Sequence, residues 1–246
     1  KFIEWQITIL KENGKIIQGS HPVGWCPKDQ NPVSQHDTMG DVEPKIDDKN
    51  FLVKFKFGEF IFPVTTLRPE TIFGVTNLWV NPNVTYKKVS VDNETWIVSE
   101  ECVKKIEFFE KEVKIIGDIQ GSEIIGKYAT VLHNNQEIPI LEAEFVEPGM
   151  GTGLVMSVPA HAPKDYQALM DLKAKNHELA SKIEPIPIIV TPGYDAYPGK
   201  QICEKLGVSN QTDEKLEEAT KELYLKEFTD GKLNEKCDIF NNEKVQ

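Results

Sequence analysis

The sequence predicts an α+β fold: a barrel-like β core decorated with helices. Three observations carry this expectation. Phe51, Val53, Phe55 and Phe57 alternate with Leu52, Lys54 and Lys56, the period of a half-buried strand. Gly58-Glu59 is a two-residue hairpin signal, and Phe60 to Thr66 reads as the return strand. Beyond it, short β-rich runs recur at close spacing with few helices between them.

In chain order, Phe2, Trp5, Ile9 and Leu10 mark a short helix that Asn13-Gly14 stops. His21-Pro22-Val23-Gly24-Trp25-Cys26-Pro27 and Asn31-Pro32-Val33 carry three prolines, so extended or looped chain is expected there. Residues 1–45 therefore read as a tether or flank, 46–190 as the core, and 191–246 as a helical extension and return. In the core, Pro63 places part of the return strand at an edge or bulge. The following turn has Pro69 as a favoured first helical residue and Glu70 in the first turn. Asn77 to Pro82 and Trp96 to Ser99 read as strands. A helix from Ser99 carries Val103, Ile106 and Phe109. Val113 to Ile125 is β-rich, punctuated by Gly117, Gly121 and Gly126. Strands are expected over Thr130–His133, Ile138–Leu141 and Ala143–Val146, with Asn134-Asn135 a hairpin tip. Leu154 to Val158 reads as a buried strand that meets a Pro-bounded turn, then a helical pattern through Tyr166, Leu169, Met170 and Lys173. Ile186 to Val190 reads as a strand and Pro192-Gly193 as a turn. Asp213 to Phe228 is the best helix, with Leu216, Ala219, Leu223 and Phe228 on one face. The polar run from Lys232 to Gln246 reads as loop.

Composition narrows the function classes. With 246 residues, 39% hydrophobic and 27% charged, the chain reads as soluble and globular. No apolar run approaches the roughly 20 residues of a bilayer span, so no membrane partner is expected. No signal peptide is visible, and the chain opens on Lys1, as a piece cut from something longer would. Cys26, Cys102, Cys203 and Cys237 are widely scattered, which fits a reducing, cytoplasmic compartment. His21, Cys26, His36 and Asp37 form a conceivable zinc set, but their spacing fits no standard finger. A net charge of -11 argues against wrapping a long nucleic-acid backbone, though not against receiving the end of a strand.

Two polar clusters can carry chemistry. Thr65-Thr66-Leu67-Arg68-Pro69-Glu70-Thr71 is either a capped strand-to-helix turn or a loop of hydroxyl and N–H groups facing a small polar ligand. His161, Lys164 and Asp165 follow the Leu154–Val158 strand. Asp165 is either a helix N-cap or a carboxylate held where substrate can approach.

Together, Thr65 to Thr71 and the run Gly151-Thr152-Gly153-Leu154-Val155-Met156-Ser157-Val158-Pro159-Ala160-His161-Ala162-Pro163-Lys164-Asp165-Tyr166 resemble the editing domain of class I aminoacyl-tRNA synthetases. This is the inserted connective peptide 1 of the leucyl, isoleucyl and valyl enzymes. Leu67 and the segment Met156 to His161 resemble the archaeal and eukaryotic leucyl branch. So do the flanks at His21–Pro27, Gly40-Asp41-Val42-Glu43-Pro44 and Glu218–Tyr224, so the resemblance covers nearly the whole chain. Gly24 departs from it, since that branch usually carries Arg there.

The resemblance implies hydrolysis of mischarged tRNA(Leu) bearing norvaline, isoleucine or methionine. A synthetic pocket cannot reject such analogues well, because one methylene is worth only about 1–3 kcal/mol. In this reading Asp165 anchors the α-ammonium. Thr65 and Thr66 serve the ester or the attacking water, and Thr71 blocks leucine with its stiff β-branched side chain. Met156 and Val158 line the pocket against the terminal adenosine, with Leu67, Ala160 and Lys164 as further substrate-binding positions. Arg68 either contacts a phosphate or buttresses the threonine loop, and His161 is either a general base or a turn histidine. The synthetic signatures, of His-Ile-Gly-His and Lys-Met-Ser-Lys-Ser type, are absent. No amino-acid activation and no cofactor is therefore expected here; ATP and Mg belong to the synthetic domain. The implied partners are the 3′-terminal adenosine of charged tRNA(Leu), the rest of the synthetase and oxaborole-type inhibitors. A valyl or isoleucyl editor and a non-catalytic tRNA-end binding module are the alternatives.

Overall fold

The computed structural model describes residues 1–17, 23–26, 28–37, 50–107 and 112–245. The chain divides into two compact units, residues 1–48 and 49–246. In the first, α1 (Phe2–Glu12) forms where the apolar spacing predicts it, with no residue buried. β1 (Gly24–Cys26) pairs antiparallel with β2 (Asn31–Val33), and Gln35–Asp37 make a 3-10 turn. Asp37 accepts from the Ser34 N–H and hydroxyl, each at 2.7 Å. No metal-binding group of three His, Cys, Asp or Glu gathers among the described residues. His21, the Gly40–Pro44 flank and Phe109 lie outside them.

The second unit begins with the expected hairpin. β3 (Phe51–Phe57) and β4 (Phe60–Thr66) pair along their length from Phe51↔Thr66 to Phe57↔Phe60, and Gly58 turns the tip at φ 59°. Then come β5 (Asn77–Val80), β6 (Thr85–Val91), β7 (Glu94–Val98), α2 (Glu100–Glu107), β8 (Val113–Gln120) and α3 (Gly121–Ile124). β9 (Tyr128–Val131), β10 (Glu137–Glu142), β11 (Val155–Ser157), α4 (Pro163–Ala174) and α5 (Glu178–Ser181) follow. β12 (Ile189–Val190), α6 (Pro198–Leu206), α7 (Lys215–Asp230) and β13 (Lys232–Leu233) come next, and a 3-10 segment (Glu235–Phe240) is last. Among the described residues nine strands form one mixed sheet in the order β11-β5-β10-β9-β3-β4-β7-β6-β8. Pro63 faces Lys54 of β3 and lies past the Ile61↔Trp96 bridge to β7, so its missing N–H falls where that parallel pairing has ended.

The sheet wraps around one interior, as the barrel-like expectation requires. Phe55, Phe62, Val64, Leu78, Val80, Tyr86, Ile97, Ala129, Ile138, Ile140 and Met156 meet in a single cluster, with Ile119 of β8 packed against it. β5 is buried on both faces, which fits the consecutive apolar residues Leu78, Trp79 and Val80. Leu78 and Val80 point into that interior, while Trp79 joins Leu141, Ala143, Val146, Leu169 and Leu172 in a second cluster that fixes α4 on the outside. Among the described residues no helix is long and apolar enough to cross a membrane.

Several expectations fail for identifiable reasons. β6 was hidden because Lys87 and Lys88 interrupt its apolar alternation, although Tyr86, Val89 and Val91 are buried. Ala143–Val146 is a turn rather than a strand: the Ala143 N–H still reaches the Val80 carbonyl, but the chain then folds back to bury Val146 beside α4. The strand expected at Ile186–Val190 shrinks to two residues. α6 went unpredicted despite Pro198 at its start and Gly207 in the left-handed region at its end. On α7, Phe228 is 64% exposed and Glu227 fills the buried position instead. The tail is not loose, for β13 pairs with β12 and Cys237 and Val245 are buried. Residues 191–246 belong to the second unit.

Candidate active site

A cavity of about 430 Å³ gathers both predicted clusters. Thr65, Thr66, Leu67, Arg68 and Thr71 line it from the end of β4. Met156, Val158, His161, Lys164 and Asp165 line it from β11 and the start of α4, and Thr220 and Tyr224 from α7. Ala160 does not line it; that residue is fully buried and its carbonyl accepts the Gly199 N–H at 2.8 Å.

Asp165 is not the helix cap. Ala162 holds that position without a side-chain cap, and Asp165 is the third residue of the first turn, only 6% exposed. Its Oδ1 accepts the Trp79 indole N–H at 3.0 Å and its Oδ2 the Val158 N–H at 2.8 Å. Burial pushes its pKa up to about 7, against the opposing pull of those two bonds and of Lys164. The β5–α4 packing therefore fixes the carboxylate between sheet and turn.

The threonine loop is built by local bonds. Thr66 Oγ1 accepts the Arg68 N–H at 3.0 Å. The Thr71 hydroxyl donates to the Arg68 carbonyl at 2.6 Å, and the Thr71 N–H reaches the same carbonyl at 3.0 Å. Pro69–Gly74 winds as a 3-10 helix, which leaves Thr71 buried in the wall. Leu67 and Lys164 are exposed at the rim.

Arg68 is held by two carboxylates and one ring. Its Nη2 meets Glu227 Oε2 at 2.6 Å, its Nε meets Glu70 Oε1 at 3.3 Å, and the guanidinium lies 4.5 Å over the Tyr224 ring. His161 is fully buried. Its Nε2 accepts the N–H groups of Ile188 and Ile189 at 2.9 and 3.2 Å, so the proton sits on Nδ1, 2.6 Å from Glu227 Oε1. Neither ring nitrogen is left over to act as a base.

Sequence reading missed Trp79, Thr220, Tyr224 and Glu227. Trp79 gave no signal beyond an apolar run. Glu227 did give one: it lies four residues after Leu223, on the buried face of the helix, where an isolated charge calls for a partner.

Gly151 admits the loop that closes the cavity over Thr65. It holds φ +57°, and a Cβ there would lie 2.0 Å from Thr65 Oγ1. Gly151→Ala is expected to cost about 1–3 kcal/mol through strain and overpacking, seen as a lower melting temperature, and to displace Thr65. An unchanged melting temperature would show that the loop can move aside.

Comparison with known proteins agrees with the geometry. The family model described as "Leucyl-tRNA synthetase, editing domain" matches residues 49–186. The leucine--tRNA ligase of Methanothrix thermoacetophila is 49% identical over 241 residues, covering 96% of this chain and 25% of that protein. That of Methanocaldococcus jannaschii is 46% identical over 253 residues, covering 96% and 26%. This chain thus spans about a quarter of the length of the curated relatives it matches. In fold it is similar to the crystal structure of the P. falciparum cytosolic leucyl-tRNA synthetase editing domain, with TM-score 0.69 and 22% identity over 76% of this chain and 73% of that one. The P. knowlesi counterpart gives TM-score 0.67 and 19% identity over 76% and 77%. This chain, whose threonine loop and buried carboxylate share one cavity and both lie within the matched residues, belongs to the leucyl-tRNA synthetase editing-domain family.

Proposed function

We propose that this chain performs post-transfer editing, hydrolysing the ester between a noncognate amino acid and the 3′-terminal adenosine of tRNA(Leu). It would do so as part of a cytoplasmic leucyl-tRNA synthetase, whose remaining domains deliver the acceptor end. The observation that carries the reading is that Thr65, Thr66 and Asp165 line one cavity. A carboxylate has about four acceptor sites, and Trp79 and Val158 use two at Asp165, so capacity remains for an α-ammonium. The threonine hydroxyls and nearby N–H groups orient the ester or the attacking water. With both His161 nitrogens engaged, the proton acceptor is the ribose hydroxyl or an ordered water. Hydrolysis written this way needs no cofactor; ATP and Mg belong to the synthetic domain. Norvaline, isoleucine and methionine are the substrates this reading favours, and oxaborole adducts of the terminal adenosine its inhibitors. Similarity to leucine--tRNA ligases favours a leucyl over a valyl or isoleucyl editor.

The test is deacylation of norvalyl- and isoleucyl-tRNA(Leu) as a function of pH. Capture of the ammonium requires ionised Asp165, so kcat/KM is expected to rise as pH passes about 7. Stability runs the other way. A carboxyl whose pKa is raised on folding favours the fold fully below its unfolded value of 3.8, and that contribution is lost as pH rises through about 7. Hydrolysis no faster than the spontaneous rate would leave the chain a tRNA-end binding module.

A further inference from the structure

We infer that Glu227 is a positioning residue of this site, setting Arg68 and His161 and through them the spacing between the threonine loop and the Val158–Asp165 turn. This rests on the editing reading and goes beyond it. Glu227 lies on α7, outside the region that the family model matches. Thr220, Tyr224 and Glu227 recur at helical spacing on one face of α7. The first two line the cavity, and Glu227 lies fully buried beneath them. Its two oxygens divide the work. Oε2 holds Arg68, which follows the catalytic threonines, and Oε1 holds His161, which lies four residues before Asp165. Thr191 Oγ1 adds a longer contact to Oε1 at 3.5 Å. One side chain thus ties together both polar clusters, which the sequence separates by more than eighty residues.

The chemistry demands a carboxylate. Both neighbours donate: the Arg68 guanidinium and the His161 Nδ1–H. The imidazole cannot exchange tautomers freely, because Nε2 must accept from Ile188 and Ile189. Glutamine fills the same volume, but its amide turns a donor toward one of these donors, so one arm must break. Aspartate keeps two acceptors and lacks only reach.

The experiment measures kcat and KM for norvalyl-tRNA(Leu) with this chain, Glu227→Gln, Glu227→Asp, Arg68→Met and the Arg68→Met/Glu227→Gln double variant. Melting temperatures and backbone amide spectra are recorded on each. Misplacing catalytic groups by about 1 Å costs roughly 10²-fold, so Glu227→Gln is expected to lose kcat on that scale with KM little changed. Glu227→Asp should recover part of the loss. The double variant should lose no more than the worse single one, because both act through one link. Amide signals of Thr66, Arg68, Val158 and Asp165 should shift in Glu227→Gln. A folded Glu227→Gln protein with parental kcat, or losses that multiply in the double variant, would overturn the inference. If the parent chain itself shows no deacylation, the editing reading fails and the amide signals alone decide: shifted signals support positioning by Glu227, and unshifted ones refute it.

Discussion

Asp165→Ala is expected to lower deacylation of noncognate aminoacyl-tRNA about a thousandfold while the domain stays folded. Removing one partner from a buried, hydrogen-bonded charge pair costs about 3–5 kcal/mol, and roughly 1.4 kcal/mol is a factor of ten in rate. The structure shows why the fold should survive. Truncation leaves the Trp79 indole N–H and the Val158 N–H without their acceptor, a cost of about 1–3 kcal/mol each. The same truncation removes a carboxylate that burial destabilises when it is ionised. These effects oppose one another above pH 7, so the melting temperature should move little there. Below pH 5 the carboxyl is already neutral and the compensation disappears, so the variant should be less stable than its parent. Paired measurements of deacylation rate and melting temperature at both pH values check this. Parental activity in the variant would remove Asp165 from the mechanism, and loss of the folded transition at both pH values would make its role structural.

The parts of this molecule that were legible in the sequence are those set by local pattern. The β3–β4 hairpin follows from period-two alternation around Gly58, and α4 from a strand end, Pro163 and 3.6-residue spacing. The two polar clusters were visible as hydroxyl, cationic and carboxylate residues at strand-to-helix turns, a composition that helix capping also produces. What could not be read was the tertiary pairing. Nothing local to Trp79 says that its indole meets Asp165 across 86 positions, or that Glu227 meets Arg68 across 159. Apolar character points to Phe228 as the buried residue, yet Glu227 is the one enclosed. The resemblance placed Thr65, Thr66, Thr71, Met156, Val158 and Asp165, which share the cavity, and also Ala160, which lies behind it. Roles left open there now have hydrogen-bond partners to be weighed against: Arg68 is bound by Glu227 and Glu70, and His161 by Glu227 and the N–H groups of Ile188 and Ile189.

α7 changes how the site is understood. A helix that looked like a surface extension supplies a wall of the cavity and the carboxylate beneath it. The guanidinium of Arg68 stacks on Tyr224 and is bound by Glu227 and Glu70, so the threonine loop leans on residues from the C-terminal part of the chain. Truncation before α7 would leave that cation without Tyr224 and Glu227.

Thr71→Ala is expected to make the domain hydrolyse correctly charged leucyl-tRNA(Leu), a gain of function. Thr71 is 4% exposed in the cavity wall, and its hydroxyl is held by the Arg68 carbonyl at 2.6 Å, which pins the β-branched side chain in one rotamer. A pinned wall discriminates sharply, since an overlap of a fraction of an ångström with a branched δ-methyl disfavours binding by about 1–3 kcal/mol. Alanine removes Oγ1 and Cγ2 together, so leucyl-tRNA hydrolysis should rise roughly 10- to 200-fold. Norvaline lacks the second δ-methyl on which this discrimination rests, so its hydrolysis should change little. Thr71→Val separates the two things threonine does here. Valine keeps the bulk and loses the bond to Arg68, so it should still spare leucyl-tRNA if the wall is the sieve. The measurement is a pair of deacylation rates, leucyl and norvalyl, for the three proteins. If alanine spares leucyl-tRNA as the parent does, the sieve lies elsewhere and Thr71 serves only to tie the 3-10 turn to Arg68. If valine admits leucine as well as alanine does, discrimination depends on the pinned rotamer rather than on volume.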